Sequence, residues 1–416
     1  MTLGRRRFLQ ASGGALAAWA SSPWWLQAGL AATATTPGRR LIVLNLAGGN
    51  DGLNTVVPYG ISGYYANRPT LATPAAKVLK LAGSSAVGLH PSLPTMHALY
   101  GRGEVAIVQG VGYDHPDLSH FGSGDIWQTG SPTHAFGSGW LGRWLDQTGH
   151  DTGHDASPLR AVAIGNYVPL ALIGERDQGV ALTSLPGFQF ADGAEGDAKS
   201  DARHRHDDFV RSVSTVTGGD VATAYADSVR QTVASVRAVN RLATPSAPYP
   251  TTPAQQVGLA MTLLASPVGV RVAMVEVDGF DDHAGEGPNH PTTLKQVDDA
   301  VAAFRDLVAK QPNPQDYLLM TFSEFGRRLA EDGSGGTDHG TAGPLFVVGP
   351  RVKGGLYGEH PALTPSGLDE NGNLVRTVDF REVYATMLDG WLGGASSRDV
   401  LGYTSADGLH PLAFLR

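Results

Sequence analysis

Cysteine is absent from all 416 residues of the chain. Disulfide bonds, thiolate metal sites and cysteine nucleophiles are thereby excluded, and stability is left to packing and bound ions. Positive charge is also in short supply: 31 Lys and Arg stand against 39 Asp and Glu, for a formal net charge of -8. A nucleic-acid partner needs a basic patch to neutralise its phosphates, and the sequence offers none. The nearest approach, Arg203, His204, Arg205 and His206, runs straight into Asp207 and Asp208, the pattern of a solvated helix end. Long apolar runs are missing too. Gly, Ser and Pro interrupt them before the roughly 20 residues that a bilayer requires, so no stable transmembrane anchor is expected. What is present, 42% hydrophobic residues with 54 Gly and 26 Pro, describes a globular chain rich in turns and able to bury a large core.

The first residues read as an address. Arg5, Arg6 and Arg7 precede Phe8 and Leu9, a weakly apolar stretch of Ala and Gly follows, and small residues stand at Ala32 and Ala34. This resembles a twin-arginine export signal. The resemblance implies passage through the twin-arginine translocase in folded form, cleavage near Ala34 and a periplasmic or extracellular destination. An uncleaved amphipathic anchor is the other reading. On this division, residues 1–34 are a signal peptide and residues 35–416 a single domain.

Within that domain, short Val-, Ile- and Leu-rich runs recur at 41–46, 104–112, 160–165, 270–279, 316–326 and 343–349, each closed by a polar or glycine loop. Continuous apolar runs are the mark of strands covered on both faces, as in a mostly parallel sheet. Between two of them, residues 292–310 place Leu294, Val297, Val301, Phe304 and Leu307 on one helical face, completing a βαβ unit. A helical insertion is expected over about 184–245. The fold class that follows is α/β, a mostly parallel central sheet with helices on both faces.

Ligands of open α/β sheets bind beyond the carboxyl ends of the strands. Asn50 and Asp51 follow the first strand; Asp278, Asp281, Asp282 and His283 follow the run at 270–279; Ser323 and Glu324 close the run at 316–326; Asp338 and His339 stand just before the last. So many carboxylates at one edge would repel one another, and a divalent cation resolves that conflict. Asp, Glu and His without thiolates suit Zn²⁺, Mn²⁺ or related ions and hydrolytic Lewis-acid chemistry. Two of these residues also have a plainer reading, Asp51 as a turn cap and Glu324 as a partner of Arg327 or Arg328, whereas His283 and His339, each next to an Asp in a glycine-bearing loop, fit core histidines poorly. Those two arginines are read either as anion contacts or as a helix surface.

The motifs "LNLAGGNDGLNTVVPYG", "LSHFGSGDIWQTG", "GFDDHAG", "TFSEFGRRLAEDGSGGTDHGTAGPLFVVG" and "DFREVYATMLDGWLG" together resemble the DUF1501 family, over about residues 40–413. That family is similar to the alkaline phosphatase and sulfatase superfamily. The resemblance implies an alkaline phosphatase-like fold and two divalent ions, of Zn, Mn, Mg or Ca. Asp51 matches the first ligand of the superfamily, and Asp281, His283 and His339 match a second set. Glu324 stands where an Asp is usual and Phe325 where a His is usual. Asp338 is either a ligand or a carboxylate orienting the neighbouring imidazole. The nucleophile position falls at Ser119 or His120, with Ser119 equally readable as a helix N-cap and His120 as a replacement ligand. Asp114, His115 and Asp117 lie in the preceding loop, with substrate and surface roles both open.

The function the two resemblances imply is metal-dependent hydrolysis of a phosphate or sulfate ester, small or polymeric, outside the cytoplasm. The alternative is a non-catalytic, metal-stabilised binding or envelope-assembly protein on the same fold.

Overall fold

The structure is a computed structural model that describes residues 38–149, 159–188, 229, 233, 235–245 and 248–416. The expected signal segment and most of the expected insertion lie outside the described residues. In chain order the strands are β1 (Arg40–Leu46), β2 (Val56–Val57), β3 (Leu79–Lys80), β4 (Gly88–Leu89), β5 (Val105–Gly112), β6 (Ala161–Ile164), β7 (Val180–Leu182), β8 (Val272–Val277), β9 (Tyr317–Phe322), β10 (Gly343–Val348), β11 (Gly355–Tyr357) and β12 (Val378–Asp379).

A 9-stranded sheet runs in the order β11-β5-β10-β9-β1-β8-β6-β7, with β12 beside β5. β2, β4 and β3 form a small separate sheet. The six apolar runs read from the sequence became β1, β5, β6, β8, β9 and β10, all in the large sheet. β1 pairs in parallel with both β8 and β9, and β6 with both β7 and β8. β10 is antiparallel to β5 and to β9, and is the strand of this sheet that runs against the rest.

The alternation of side chains divides the core in two. From β1, Ile42, Leu44 and Leu46 face one layer, and Leu41 and Val43 the other, all at most 1% exposed. The first layer is covered by the helices Pro94–Gly101, Thr252–Leu264 and Glu286–Val308. The second is covered by His120–Thr129, Trp140–Thr148 and Phe380–Met387, whose Trp127, Trp140 and Tyr384 form one aromatic cluster, Trp140 stacked on Tyr384 and Trp127 edge-on to it. Helices on both faces explain why the strands read as unbroken apolar runs. The helix expected from residue 292 begins at Glu286, running through Pro291. A proline without an N–H resembles a starting signal, yet at the sixth position this one interrupts little of the ladder.

The single reversed strand has a direct consequence for function. Segments leaving β1, β5, β8 and β9 emerge at the same edge, and so does the segment entering β10. His339, which precedes a strand, is thereby delivered to the place reached by residues that follow the other strands.

Candidate metal centre

Four side chains meet at this edge. His120 is the first residue of the helix His120–Thr129, in the loop after β5; Asp281 and His283 follow β8; His339 precedes β10. Close approach of the loops depends on Gly48, whose φ is +112° and whose place a Cβ would fill only at 2.5 Å from the Asp281 amide nitrogen.

The three imidazoles share one orientation. His120 Nδ1 faces Glu324 Oε1 at 2.9 Å, and its Nε2 lies 3.3 Å from Asp281 Oδ2. His283 Nδ1 faces Asp338 Oδ1 at 3.4 Å, and its Nε2 lies 3.2 Å from Asp281 Oδ1. His339 Nδ1–H donates to the Leu118 carbonyl at 2.7 Å, and its Nε2 lies 3.2 Å from Asp281 Oδ1. Each ring thus has an oxygen acceptor behind it at Nδ1 and turns Nε2 toward the same carboxylate. With a cation among the Nε2 atoms, the oxygens behind the rings would take the Nδ1 protons and the Nε2 lone pairs would point inward. The Nε2 atoms of His283 and His339 stand only 2.8 Å apart.

The electrostatics agree. Burial would raise the Asp281 carboxyl, but the hydrogen bond from Arg327 brings it down to about 2, so it is ionised at neutral pH. Burial pushes His339 below its ordinary value against the pull of the Leu118 carbonyl and Asp281, which keeps the ring neutral and able to donate a lone pair.

Arg327 holds the frame. Its side chain is 1% exposed and donates to the carbonyls of Gly48, Gly49, Phe280 and Thr337, and to Asp281 Oδ1 at 2.7 Å. The helix-surface and anion-contact readings of this arginine are both corrected: it ties together the turn after β1, the loop after β8 and the segment before β10. Nothing in the local sequence marked it, because its acceptors come from three distant segments. A bridge pairs Arg327 with His339 itself, and Asp338 O accepts from the Arg328 amide at 3.1 Å.

The remaining expected residues stand elsewhere or in other roles. Asp51 is not among the converging atoms. It is 2% exposed and paired with Arg68, which is fully buried, while its Oδ1 caps the turn at Leu53 N–H, 3.2 Å away. Beside it lies Glu286, accepting from Asn54 Nδ2 at 3.0 Å and Thr337 Oγ1 at 2.7 Å. Burial raises the Asp51 carboxyl, yet Arg68 and Glu286 hold it well below the usual range; burial and the Asp51 charge push Glu286 up, so Glu286 keeps its proton. Glu324 accepts from Gly48 N–H at 2.9 Å as well as facing His120, so it backs a ring instead of joining the converging atoms. Asp338 does the same for His283. Ser119 is the N-cap of its helix, Oγ accepting from Gly122 N–H at 3.5 Å, and among the described residues its side chain makes no hydrogen bond to the cluster. Phe325 packs against the rings of His120 and His339, with centroids 4.9 and 4.4 Å away. Asp114 pairs with Arg376 at the surface. Asp332 was not singled out in the sequence; it approaches His283 and Asp338 to form a second, more exposed group.

The donor set fits a divalent ion. Ligand atoms about 2.0–2.2 Å from one centre stand roughly 3 Å apart, and the edges joining Asp281 Oδ1, His283 Nε2 and His339 Nε2 measure 2.8, 3.2 and 3.2 Å. Imidazole nitrogens suit Zn²⁺ better than the oxygen-seeking Mg²⁺ and Ca²⁺. His120, Asp281 and His339 meet the distance requirement for shared coordination.

These features define an α/β protein with a histidine-carboxylate cluster at the strand ends of a mostly parallel sheet. The chain belongs to the family described as Protein of unknown function (DUF1501), whose model matches residues 38–400. No curated protein matches it. Among solved structures it is similar to a protein in the alkaline phosphatase superfamily from Vibrio parahaemolyticus, at 9% identity over 86% of this chain and 71% of that one, TM-score 0.36. It is similar to alkaline phosphatase from the Antarctic bacterium TAB5, at 12% identity over 77% of this chain and 95% of that one, TM-score 0.32. A third likeness is to a putative sulfatase from Bacteroides thetaiotaomicron, at 10% identity over 89% and 75% of the two chains, TM-score 0.36.

Proposed function

We propose that the protein is an exported, metal-dependent hydrolase of phosphate or sulfate esters. The observation that carries this reading is the convergence of three Nε2 atoms on Asp281, each ring held from behind by an oxygen acceptor. His120, Asp281, His283 and His339 would hold the ion. When bound, a divalent cation supplies Lewis-acid chemistry, polarising a phosphoryl or sulfuryl oxygen and lowering the pKa of water.

The protein's own residues do the positioning. Glu324, Asp338 and the Leu118 carbonyl fix the rings, and Arg327 fixes Asp281. The helix His120–Thr129 starts at the cluster, so the positive end of its dipole lies where an anionic group would bind. Among the described residues no hydroxyl bonds to the side chains of the four converging residues, and Ser119 Oγ is turned to its own helix. Water is therefore the attacking group in this reading. The same observation favours the second reading, a metal-stabilised binding or envelope-assembly protein.

Turnover separates the two. Metal-loaded protein is expected to hydrolyse an aryl phosphate or an aryl sulfate, and Asp281→Ala and His339→Ala are expected to abolish it. Failure to turn over either ester class in metal-loaded protein would overturn the hydrolase. Export rests on the Arg5–Leu9 pattern; replacing Arg5 and Arg6 by Lys should hold the unprocessed protein in the cytoplasm.

A further inference from the structure

The sequence places enough acids and imidazoles at one sheet edge for two ions, and the structure divides them unequally. We infer that the centre holds one divalent ion, and that the guanidinium of Arg68 is the permanent cation of Asp51, in the place where a second ion is expected. The inference rests on the reading of the cluster as a metal centre.

Three observations carry it. Asp51 has no free oxygen: Oδ1 accepts from Leu53 N–H at 3.2 Å and Oδ2 pairs with Arg68 Nη1. Arg68 is itself immobilised, Nε donating to Leu329 O at 2.9 Å and Nη2 to Arg328 O at 2.7 Å, with its side chain at 0% exposure. An added ion would face a fixed like charge in a medium that screens poorly, where repulsion of this kind is several-fold stronger than in water.

Second, the remaining expected ligands have donors of their own. Glu324 Oε1 accepts from both Gly48 N–H and the side of His120 opposite the cluster, and Oε2 accepts from Ser323 Oγ at 3.3 Å. Glu286, which the structure adds beside Asp51, accepts from Asn54 and Thr337. Both groups are built into the protein's hydrogen bonding and do not await a cation.

Third, the other grouping of acids and imidazole does not make a second centre. Asp332 Oδ1 already accepts from Ser334 N–H at 2.8 Å, Ser334 Oγ at 2.7 Å and Gly336 N–H at 3.1 Å, the pattern of a turn. His283 would have to ligate through Nδ1 there and through Nε2 at Asp281, which requires both ring nitrogens to give up their protons.

The test is stoichiometry. Protein stripped with a chelator is titrated calorimetrically with Zn²⁺ and, separately, with Mn²⁺, and the metal content of the dialysed protein is measured by mass spectrometry. One ion per chain is expected, falling to none in His339→Ala and staying at one in Asp51→Asn. Two ions per chain, or the loss of an ion in Asp51→Asn, would overturn the single-ion inference and leave the metal-centre reading standing. No ion bound by the wild type would overturn both. The wild-type count decides the matter even where Asp51→Asn fails to fold.

Discussion

A single guanidinium organises the candidate centre. Arg327 satisfies four carbonyls from three segments and holds the one carboxylate toward which the imidazoles turn. Replacing it with Met leaves those carbonyls buried without a donor and Asp281 without its counter-charge. Arg327→Met is expected to lower stability by about 3–5 kcal/mol, the usual cost of breaking a buried charged network, read as an earlier midpoint in urea. A gentler change tests the residues behind the rings. Glu324→Gln and Asp338→Asn keep shape and remove charge, and should weaken Zn²⁺ binding about 10- to 100-fold in calorimetry, because such partners orient a ligand without bonding the ion. Loss of binding as complete as in His339→Ala would show that they ligate directly. Residue identity in the sequence was informative where the chemistry is local: Asp281, His283 and His339 stand out as acids and imidazoles in glycine-bearing loops. It was silent about Arg68 and pointed Arg327 to the wrong roles. An arginine looks the same whether it ends in solvent or in a shell of distant carbonyls, and its destination is set by tertiary structure.

At the scale of elements, two segments form the rear wall of the centre. Residues 326–328 and 338–340 are held by the bridge between Arg327 and His339 and by Gly340 N–H donating to Gly326 O at 2.8 Å. A Cβ on Gly340 would lie 2.4 Å from the backbone carbon of Arg327, with no flexible side chain to yield. Gly340→Ala should therefore push the two segments apart, and a loss of Zn²⁺ affinity larger than the loss of stability is expected from paired calorimetry and urea unfolding. Equal effects would mean that the wall supports the fold in general. The main strands were legible because both faces are buried, giving continuous apolar runs. The direction of β10 was not, since nothing in "GPLFVV" says which way a strand enters a sheet. The short strands β7, β11 and β12 were missed for a related reason: two or three residues carry too little pattern to separate a strand from a loop.

Across the whole molecule, metal and pH each move the folding equilibrium. An ion that binds the native state alone stabilises by about 2.7 kcal/mol at a hundredfold excess over its Kd, so Zn²⁺ should raise the melting temperature of the wild type and leave that of His339→Ala unchanged. For pH, His90 is the clearest reporter. It is buried, its Nδ1 accepts from Ser92 N–H at 3.1 Å, and burial lowers its pKa to about 4. The native state thus resists a proton that the unfolded chain takes up near 6.5. Stability from this group is present above that value and is lost as pH falls toward 4, by on the order of 3 kcal/mol. His90→Asn keeps an acceptor for Ser92 and cannot titrate, so its stability should fall less steeply over the same window in urea titrations at a series of pH values.

The reversed strand also sets a condition on when the centre can exist. β10 lies between β5 and β9, whose residues are separated by about half the chain, and it brings His339 with it. A chain that stops between β9 and residue 339 holds the strands on which β1 pairs and still lacks a ligand that no earlier segment replaces. Metal capture would therefore mark a chain that has been synthesised past β10 and has closed its sheet, so a bound ion would report on assembly as well as chemistry.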